Sequence, residues 1–427
     1  MKRFLNLLFT FCILSYYTNA QDVKYAHYIV DTLSSPFLYG RGYTNNGDKL
    51  AAEFIKNELI KNNSLSFNNN FFQEYKLSIN SIKKTSLRIN NKNISAGNEF
   101  LVSLSSPKTK GKFKVLKLDS TNFKSKKDYD NIIKKDLKKT VILIDKQNIK
   151  DKDITEIFNK TRFRNPFNSA GIITIADKKL SWAISDGRNV NEYFKISVLR
   201  EVIPKKVKKI SVDIDTEYLS NYTTNNVIGY VKGKLYPDSF IVFIAHYDHL
   251  GQMGENVYFP GANDNGSGTS MVLDLARHFA ADTNKFLKYS IVFAFVSGEE
   301  AGLLGSYYLS KNPLFPIDKI KFLINLDMVG TGSEGITIVN GTKFEKEFQL
   351  FKEINDKNSL LKTVAQRGES CNSDHCPFYE KGVPAVFIYS MGSENTEYHN
   401  IYDTADKLPF TKYNEIFKLL TIFVDKL

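Results

Sequence analysis

Ile291-Val292-Phe293-Ala294-Phe295-Val296-Ser297-Gly298-Glu299-Glu300 joins an unbroken apolar run to two adjacent carboxylates through a single glycine. Six consecutive apolar residues, most of them β-branched or aromatic, predict a buried strand, and Gly298 predicts a tight turn at its end. Glu299 and Glu300 then stand at the C-terminal end of a strand, the edge at which open α/β sheets build their ligand sites. A Glu-Glu pair alone is an ordinary solvated loop. Its meaning depends on what the other strand ends carry.

Working outward, further strands are predicted at 227–231, 240–245, 320–326 and 385–389, with 289–296 as the strand just described. Helices are predicted at 269–281, where Val272, Leu275, Ala276 and Phe279 share a face, and at 413–426. Strands alternating with helices predict an α/β fold, a mixed central sheet covered by helices on both faces. Nearer the start, Leu50, Ala51, Phe54, Ile55 and Leu59 fall at helical spacing behind the turn residues Asn45-Asn46-Gly47-Asp48, which predicts a packing helix. Between residues 76 and 215 the texture changes to short alternating segments (112–118, 140–144, 171–175) separated by Lys/Asp-rich connections. This predicts an inserted, mostly β domain, with residues 21–75 and 216–427 forming the main one.

The 427 residues suffice for two domains. Lys2 and Arg3 precede an apolar run at 4–14, and Thr18-Asn19-Ala20 offers small residues for cleavage, so residues 1–20 read as a signal peptide of an exported protein. The run is too short to span a bilayer, Cys12 lacks a lipid-attachment context, and no later stretch predicts membrane insertion. Cys371 and Cys376 are left, either paired as a local staple or as two free thiols. The net charge of +12 comes largely from lysines scattered between Lys108 and Lys209. Without interleaved aromatics such a run is a solvated face, and no nucleic-acid partner is expected.

The strand ends carry the chemistry. The strand at 240–245 runs into His246-Tyr247-Asp248-His249, followed by Gly261-Ala262-Asn263-Asp264-Asn265-Gly266-Ser267-Gly268; the strand at 320–326 delivers Asp327, and beyond 385–389 comes Tyr398-His399-Asn400-Ile401-Tyr402-Asp403. Of six histidines, four lie in these loops or in Ser373-Asp374-His375. Imidazoles and carboxylates without a thiolate suit zinc, and the carboxylates are too many for one tetrahedral ion. Two ions sharing a bridging carboxylate fit the count. His246 and Asp327 would serve one, His399 and Glu300 the other, with Asp264 between them. Glu299 is left over, placed to act as general base on bound water. Asp248 would orient His246 through its other ring nitrogen, and Asp403 would do the same for His399.

The set His246-x-Asp248, Gly261-x-x-Asp264-Asn265-Gly266-Ser267-Gly268, Glu299-Glu300, Asp327 and His399 resembles the secreted co-catalytic zinc aminopeptidases, relatives of bacterial leucyl aminopeptidase and glutamate carboxypeptidase. The resemblance runs from about residue 225 to the C-terminus. It implies the zinc aminopeptidase type of α/β fold, two zinc ions held by His246, Asp264, Glu300, Asp327 and His399, Glu299 as base, and a cis peptide between Asp264 and Asn265. The inserted segment resembles a protease-associated domain, which implies a lid or substrate wall. For Ser373-Asp374-His375 the resemblance implies that His375 helps stabilise the tetrahedral intermediate; the alternative is a structural role. The function implied is an exported di-zinc aminopeptidase acting on peptides with a free N-terminus. Within the same fold, a glutaminyl cyclase is the alternative, although Trp182, the sole tryptophan, lies in the insert and Tyr398 precedes the last histidine. A carboxypeptidase would need a cationic pocket that the sequence does not reveal. A non-catalytic binding protein that has lost its ligands does not fit a complete set.

Overall fold

The structure is a computed structural model that describes residues 23–67, 69–161, 163–184, 190–281 and 286–427; the signal-peptide expectation for residues 1–20 falls outside them. Helix α1 (Val23–Leu33) and helix α2 (Gly47–Lys61) lead into strands β1 (Phe72–Ile89), β2 (Lys92–Ile94), β3 (Phe100–Val102) and β4 (Thr109–Leu118). Helix α3 (Lys126–Ile132), β5 (Thr140–Ile144), α4 (Lys152–Lys160), β6 (Gly171–Ala176) and β7 (Phe194–Leu199) follow. Next come β8 (Lys209–Val231), β9 (Tyr236–His246), α5 (Gly268–Ala281), β10 (Tyr289–Val296), α6 (Leu304–Lys311) and β11 (Ile320–Leu326). The chain closes with β12 (Gly335–Val339), α7 (Glu345–Asn358), β13 (Val364–Gln366), α8 (Cys376–Tyr379), β14 (Ala385–Met391) and α9 (Tyr413–Lys426).

The sheet runs in the order β13-β12-β14-β11-β9-β10-β8-β4-β5-β6-β7-β3. At its centre β10, β9, β11 and β14 are mutually parallel, with β8 antiparallel on one flank and β12 on the other. The α/β architecture with a mixed central sheet is therefore the one the sequence predicts. Alternate residues of a strand point to opposite faces, and the two faces bury different partners. Ile241, Phe243 and Ala245 of β9 and Ile291, Phe293 and Phe295 of β10 join α1, α2, α5, α7 and α9 in one core. Phe240, Val242, Ile244, Val292, Ala294 and Val296 enter a second core that includes Leu309 of α6 and Phe378 of α8.

The predicted strands at 140–144, 289–296 and 320–326 recur with the same bounds. What periodicity did not reveal is length: β1 and β8 form an antiparallel ribbon, paired from Phe72↔Val227 to Ile89↔Ile210. The C-terminal end of β8 pairs with β10 and its N-terminal end with β4, so one strand belongs to both halves of the sheet. The 76–215 segment carries α3 and α4 between its strands. In α2, the buried apolar side chains are Ala51, Ala52, Ile55 and Leu59, whereas Leu50 is exposed, a correction to the predicted stripe.

Asp48, in the first turn of α2, is fully buried and accepts hydrogen bonds from Thr224 Oγ1 and Tyr222 Oη, both at 2.7 Å. Burial outweighs these bonds and raises its pKa from 3.8 to about 6. The folded chain binds this proton more tightly than the unfolded chain, so the stabilisation is complete below the unfolded value and is lost as pH rises through the folded one. Between pH 4 and 6 the protein should thus lose roughly 1–3 kcal/mol relative to Asp48→Asn. Urea midpoints of the two proteins at each pH measure this, and parallel curves would exclude Asp48 as the cause.

Candidate metal centre

Because β10, β9, β11 and β14 run parallel, their C-terminal ends open on one edge, and residues far apart in sequence meet there. His246 is the last residue of β9, Glu299 and Glu300 follow β10, Asp327 follows β11, and His399 lies in the loop after β14. Asp264 sits in the irregular turn at 262–267 that enters α5, with a cis peptide to Asn265. Asn265 ties that turn to the end of β11: its Nδ2 donates to Leu326 O at 2.9 Å, and its Oδ1 accepts from Gly268 N and Met328 N. Gly298, with φ of 71°, makes the turn after β10; a Cβ there would lie 2.7 Å from Tyr75 Oη.

The geometry is that of two half-sites joined by one carboxylate. His246 Nε2 stands 3.6 Å from Asp264 Oδ1 and 3.5 Å from Asp327 Oδ1. His399 Nε2 stands 3.1 Å from Asp264 Oδ2 and 3.2 Å from Glu300 Oε2. Each oxygen of Asp264 thus faces a different histidine. Glu299 groups with His246 and Asp327 within ligand reach.

Does this set fit a metal? Glu300 Oε1, Asp327 Oδ1, both oxygens of Asp374 and both ring nitrogens of His249 are buried without hydrogen-bond partners. Folded proteins rarely leave such atoms alone, and a cation among them would satisfy several at once. His249 Nδ1 is only 2.8 Å from Glu300 Oε1, yet the direction is wrong for a hydrogen bond. Imidazole and carboxylate donors without sulfur suit zinc. The residues therefore fit.

Charge is finely divided within the cluster. Burial opposes a charged His246, but Glu299, Asp327 and Asp264 outweigh it and hold the imidazole well above its usual pKa. His399 is raised to about 10 in the same way, against burial, by Asp264 and Glu300. Burial acts against Glu300 too, yet His249 and His399 hold it below the usual carboxylate range. Glu299 goes the other way: burial first, then Asp374, Glu300 and Asp327, push it well above that range against the pull of His246. The two adjacent carboxyls are thereby separated in proton affinity, the pattern that divides acid from base roles in active sites.

The supporting shell departs from the expected hydrogen bonds at Asp248 and Asp403. His246 Nδ1 donates to the backbone carbonyl of Asp248 at 3.2 Å, while the Asp248 carboxylate is 3.8 Å away. That carboxylate instead accepts from Tyr43 Oη and from the backbone N–H of Glu299, so Asp248 positions Glu299 rather than His246. Asp403 accepts from the N–H groups of Asn263 and Asp264 and so fixes the turn carrying Asp264; His399 Nδ1 bonds Trp182 O instead. His375 is buried, its Nε2 2.8 Å from Ser370 O and its ring against Phe387, and burial lowers it to about 4; these are the contacts of the structural alternative. Its neighbours reach the cluster in its place, Ser373 Oγ donating to Asp327 Oδ2 at 3.0 Å. Cys371 is joined by a disulfide to Cys376, the first residue of α8.

Three residues escaped the sequence reading. His249 was visible in the loop after β9 but had no assigned role; it groups with Asp264 and Glu300. Arg41 and Trp182 come from distant segments, and nothing short-range marks them.

Residues 226–424 match the model of peptidase family M28. Similar curated proteins include a probable leucine aminopeptidase of Arthroderma otae, 31% identical over 197 residues that make up 44% of this chain and 54% of that protein. Another is the aminopeptidase YwaD of Bacillus subtilis, 31% identical over 227 residues, 48% of this chain and 45% of that one. The chain thus spans about half the length of these relatives. Among solved structures, a zinc aminopeptidase from Bacillus subtilis, BSAP, superposes with a TM-score of 0.69 at 19% identity over 95% of both chains. A peptidase M28 precursor from Shewanella amazonensis gives 0.68 at 17% identity, over 95% of this chain and 93% of that one. The fold is shared with both. Residues 226–424 thus carry the match to peptidase family M28, and the fold around them is the one these two solved structures share.

Proposed function

We propose that this chain is an exported di-zinc aminopeptidase that removes N-terminal residues from peptides, with the 76–215 segment as a protease-associated-like insertion beside the site. The observation that carries the reading is Asp264, whose two oxygens face His246 and His399 at 3.6 and 3.1 Å. One zinc ion would be held by His246, Asp327 and Asp264, the other by His399, Glu300 and Asp264. Bound zinc supplies an acidified water and polarises the scissile carbonyl. The chain's own residues do the rest. Glu299, placed by the Asp248 carboxylate, takes a proton at its carboxylate and delivers it to the leaving amine. Asp264, Asp327 and Glu300 offset most of the charge that two zinc ions would bring.

Aminoacyl p-nitroanilides assayed beside their N-acetylated forms test this directly. Free-amine substrates should be cleaved, blocked ones should not, and a chelator should abolish the activity, with zinc restoring it. Elemental analysis of the purified protein should find about two zinc per chain. Equal cleavage of blocked substrates, or ammonia release from a Gln-initiated peptide without cleavage, would overturn the aminopeptidase reading.

A further inference from the structure

The histidine of the second half-site is held by the 76–215 segment. His399 Nδ1 lies 3.0 Å from the carbonyl oxygen of Trp182, and the Trp182 N–H donates back to His399 O at 2.8 Å. A carbonyl can only accept, so Nδ1 carries a proton and is committed to Trp182, and Nε2 is the nitrogen that faces Asp264 and Glu300 and is available to a metal ion. The reciprocal bond has its own use. His399 has a left-handed backbone, φ 53°, which costs a non-glycine residue on the order of 1 kcal/mol or more and persists only where neighbours enforce it.

Trp182 is itself anchored from the other side. Its indole Nε1 donates to Val102 O at 2.6 Å, and the ring stacks on Phe259, centroids 4.7 Å apart and planes 17° from parallel. A cavity of about 500 Å³ is lined in part by Ser181, Trp182 and Ala183. The strand of chain that touches His399 is thus backed by space and depends on the indole for its position. Around it the contact is broad. Lys179 pairs with Glu397 and lies over the Tyr402 ring, Tyr402 Oη donates to Asn98, and Leu250, Met253, Val257 and Phe259 of the loop after β9 share one apolar core with the 76–215 segment. A lid free to lift would not bury such a core.

We infer that the 76–215 segment is a fixed outer wall of the metal centre and that Trp182 is a positioning residue, whose main chain orients His399 and whose indole sets the affinity of the second metal ion. The inference rests on His399 being a ligand, as in the function proposed above. Partners that orient a metal-bound histidine typically contribute 10–100-fold to affinity.

The test is zinc titration of metal-free full-length protein by competition calorimetry, on wild type, Trp182→Gly, Trp182→Phe and His399→Ala. Wild type should take two equivalents. Trp182→Gly should keep the first and bind the second about 10–100-fold more weakly. Trp182→Phe, which can still stack on Phe259, should recover most of the loss. Unchanged binding in Trp182→Gly, or equal weakening of both equivalents, would overturn the inference. Two equivalents retained by His399→Ala would sink the ligand assignment instead, so the two failures are distinguishable. Should the glycine variant not fold, wild type suffices: Trp182 is the chain's single tryptophan, and its emission should change with the second equivalent and not with the first. A change confined to the first, or none, would overturn the inference.

Discussion

Glu299→Gln is expected to bind its full complement of zinc and to turn over about 10²–10⁴-fold more slowly, the usual contribution of a general acid–base group. The substitution preserves shape, so a ligand role and a base role separate cleanly. An amide cannot take a proton from water, but its oxygen can still occupy the same place. The structure makes the question sharp, because Glu299 groups with His246 and Asp327 and is within ligand reach of both. Its backbone N–H is held by the Asp248 carboxylate at 3.2 Å, its pKa is driven up by burial and by Asp374, Glu300 and Asp327, and Glu300 beside it is driven down. Zinc content and kcat measured on the same preparations decide. If Glu299→Gln loses one zinc equivalent, Glu299 is a ligand and the base lies elsewhere. Glu300→Ala is the control and should lose the second equivalent while keeping the first.

The central strands were readable in advance because a strand buried on both faces is written as an uninterrupted apolar run, and 289–296 and 320–326 recur with the predicted bounds. The residues expected to bind metal were readable for a related reason. Parallel strands put their C-terminal ends on one edge, so chemistry-bearing residues directly after strands are forced together. Outer-shell partners were not. Asp248 and Asp403 were given side-chain bonds to His246 and His399, and the structure uses the backbone carbonyl of Asp248 for His246 and that of Trp182 for His399. Any residue offers a carbonyl, so no composition or spacing reveals which one is used. The β1–β8 ribbon was hidden because much of it is half-exposed, and its pairing depends on residues more than a hundred positions apart.

Arg41→Met is expected to destabilise the protein by roughly 3–5 kcal/mol, the range for removing one member of a buried, hydrogen-bonded charge network. The guanidinium is fully buried, and its bonds go to backbone carbonyls: Nε to Tyr247 at 2.7 Å, Nη1 to Leu33 at 2.8 and Pro260 at 2.6 Å, and Nη2 to Gly261 at 2.8 and Asp264 at 3.3 Å. One side chain thus closes the end of α1, the loop after β9 and the turn that carries Asp264. Methionine fills similar volume and donates nothing, which removes a donor from each of those carbonyls; Gly261 O keeps a second partner, the Gly266 N–H. The charge matters as well. Burial lowers the guanidinium to about 10 while Asp264, Asp403, Asp248 and Glu300 oppose that shift, so it stays protonated at neutral pH and offsets part of the acidic cluster. Lysine would restore the charge but not the planar fork, and Arg41→Lys should recover less than half of the loss. Urea unfolding gives the stabilities. The folded fraction of Arg41→Met, titrated with zinc, should also bind both equivalents more weakly than wild type, because the turn bearing Asp264 supplies both half-sites. A variant with wild-type stability would show that the five carbonyls find other donors; one that is destabilised but binds zinc normally would confine Arg41 to holding the fold.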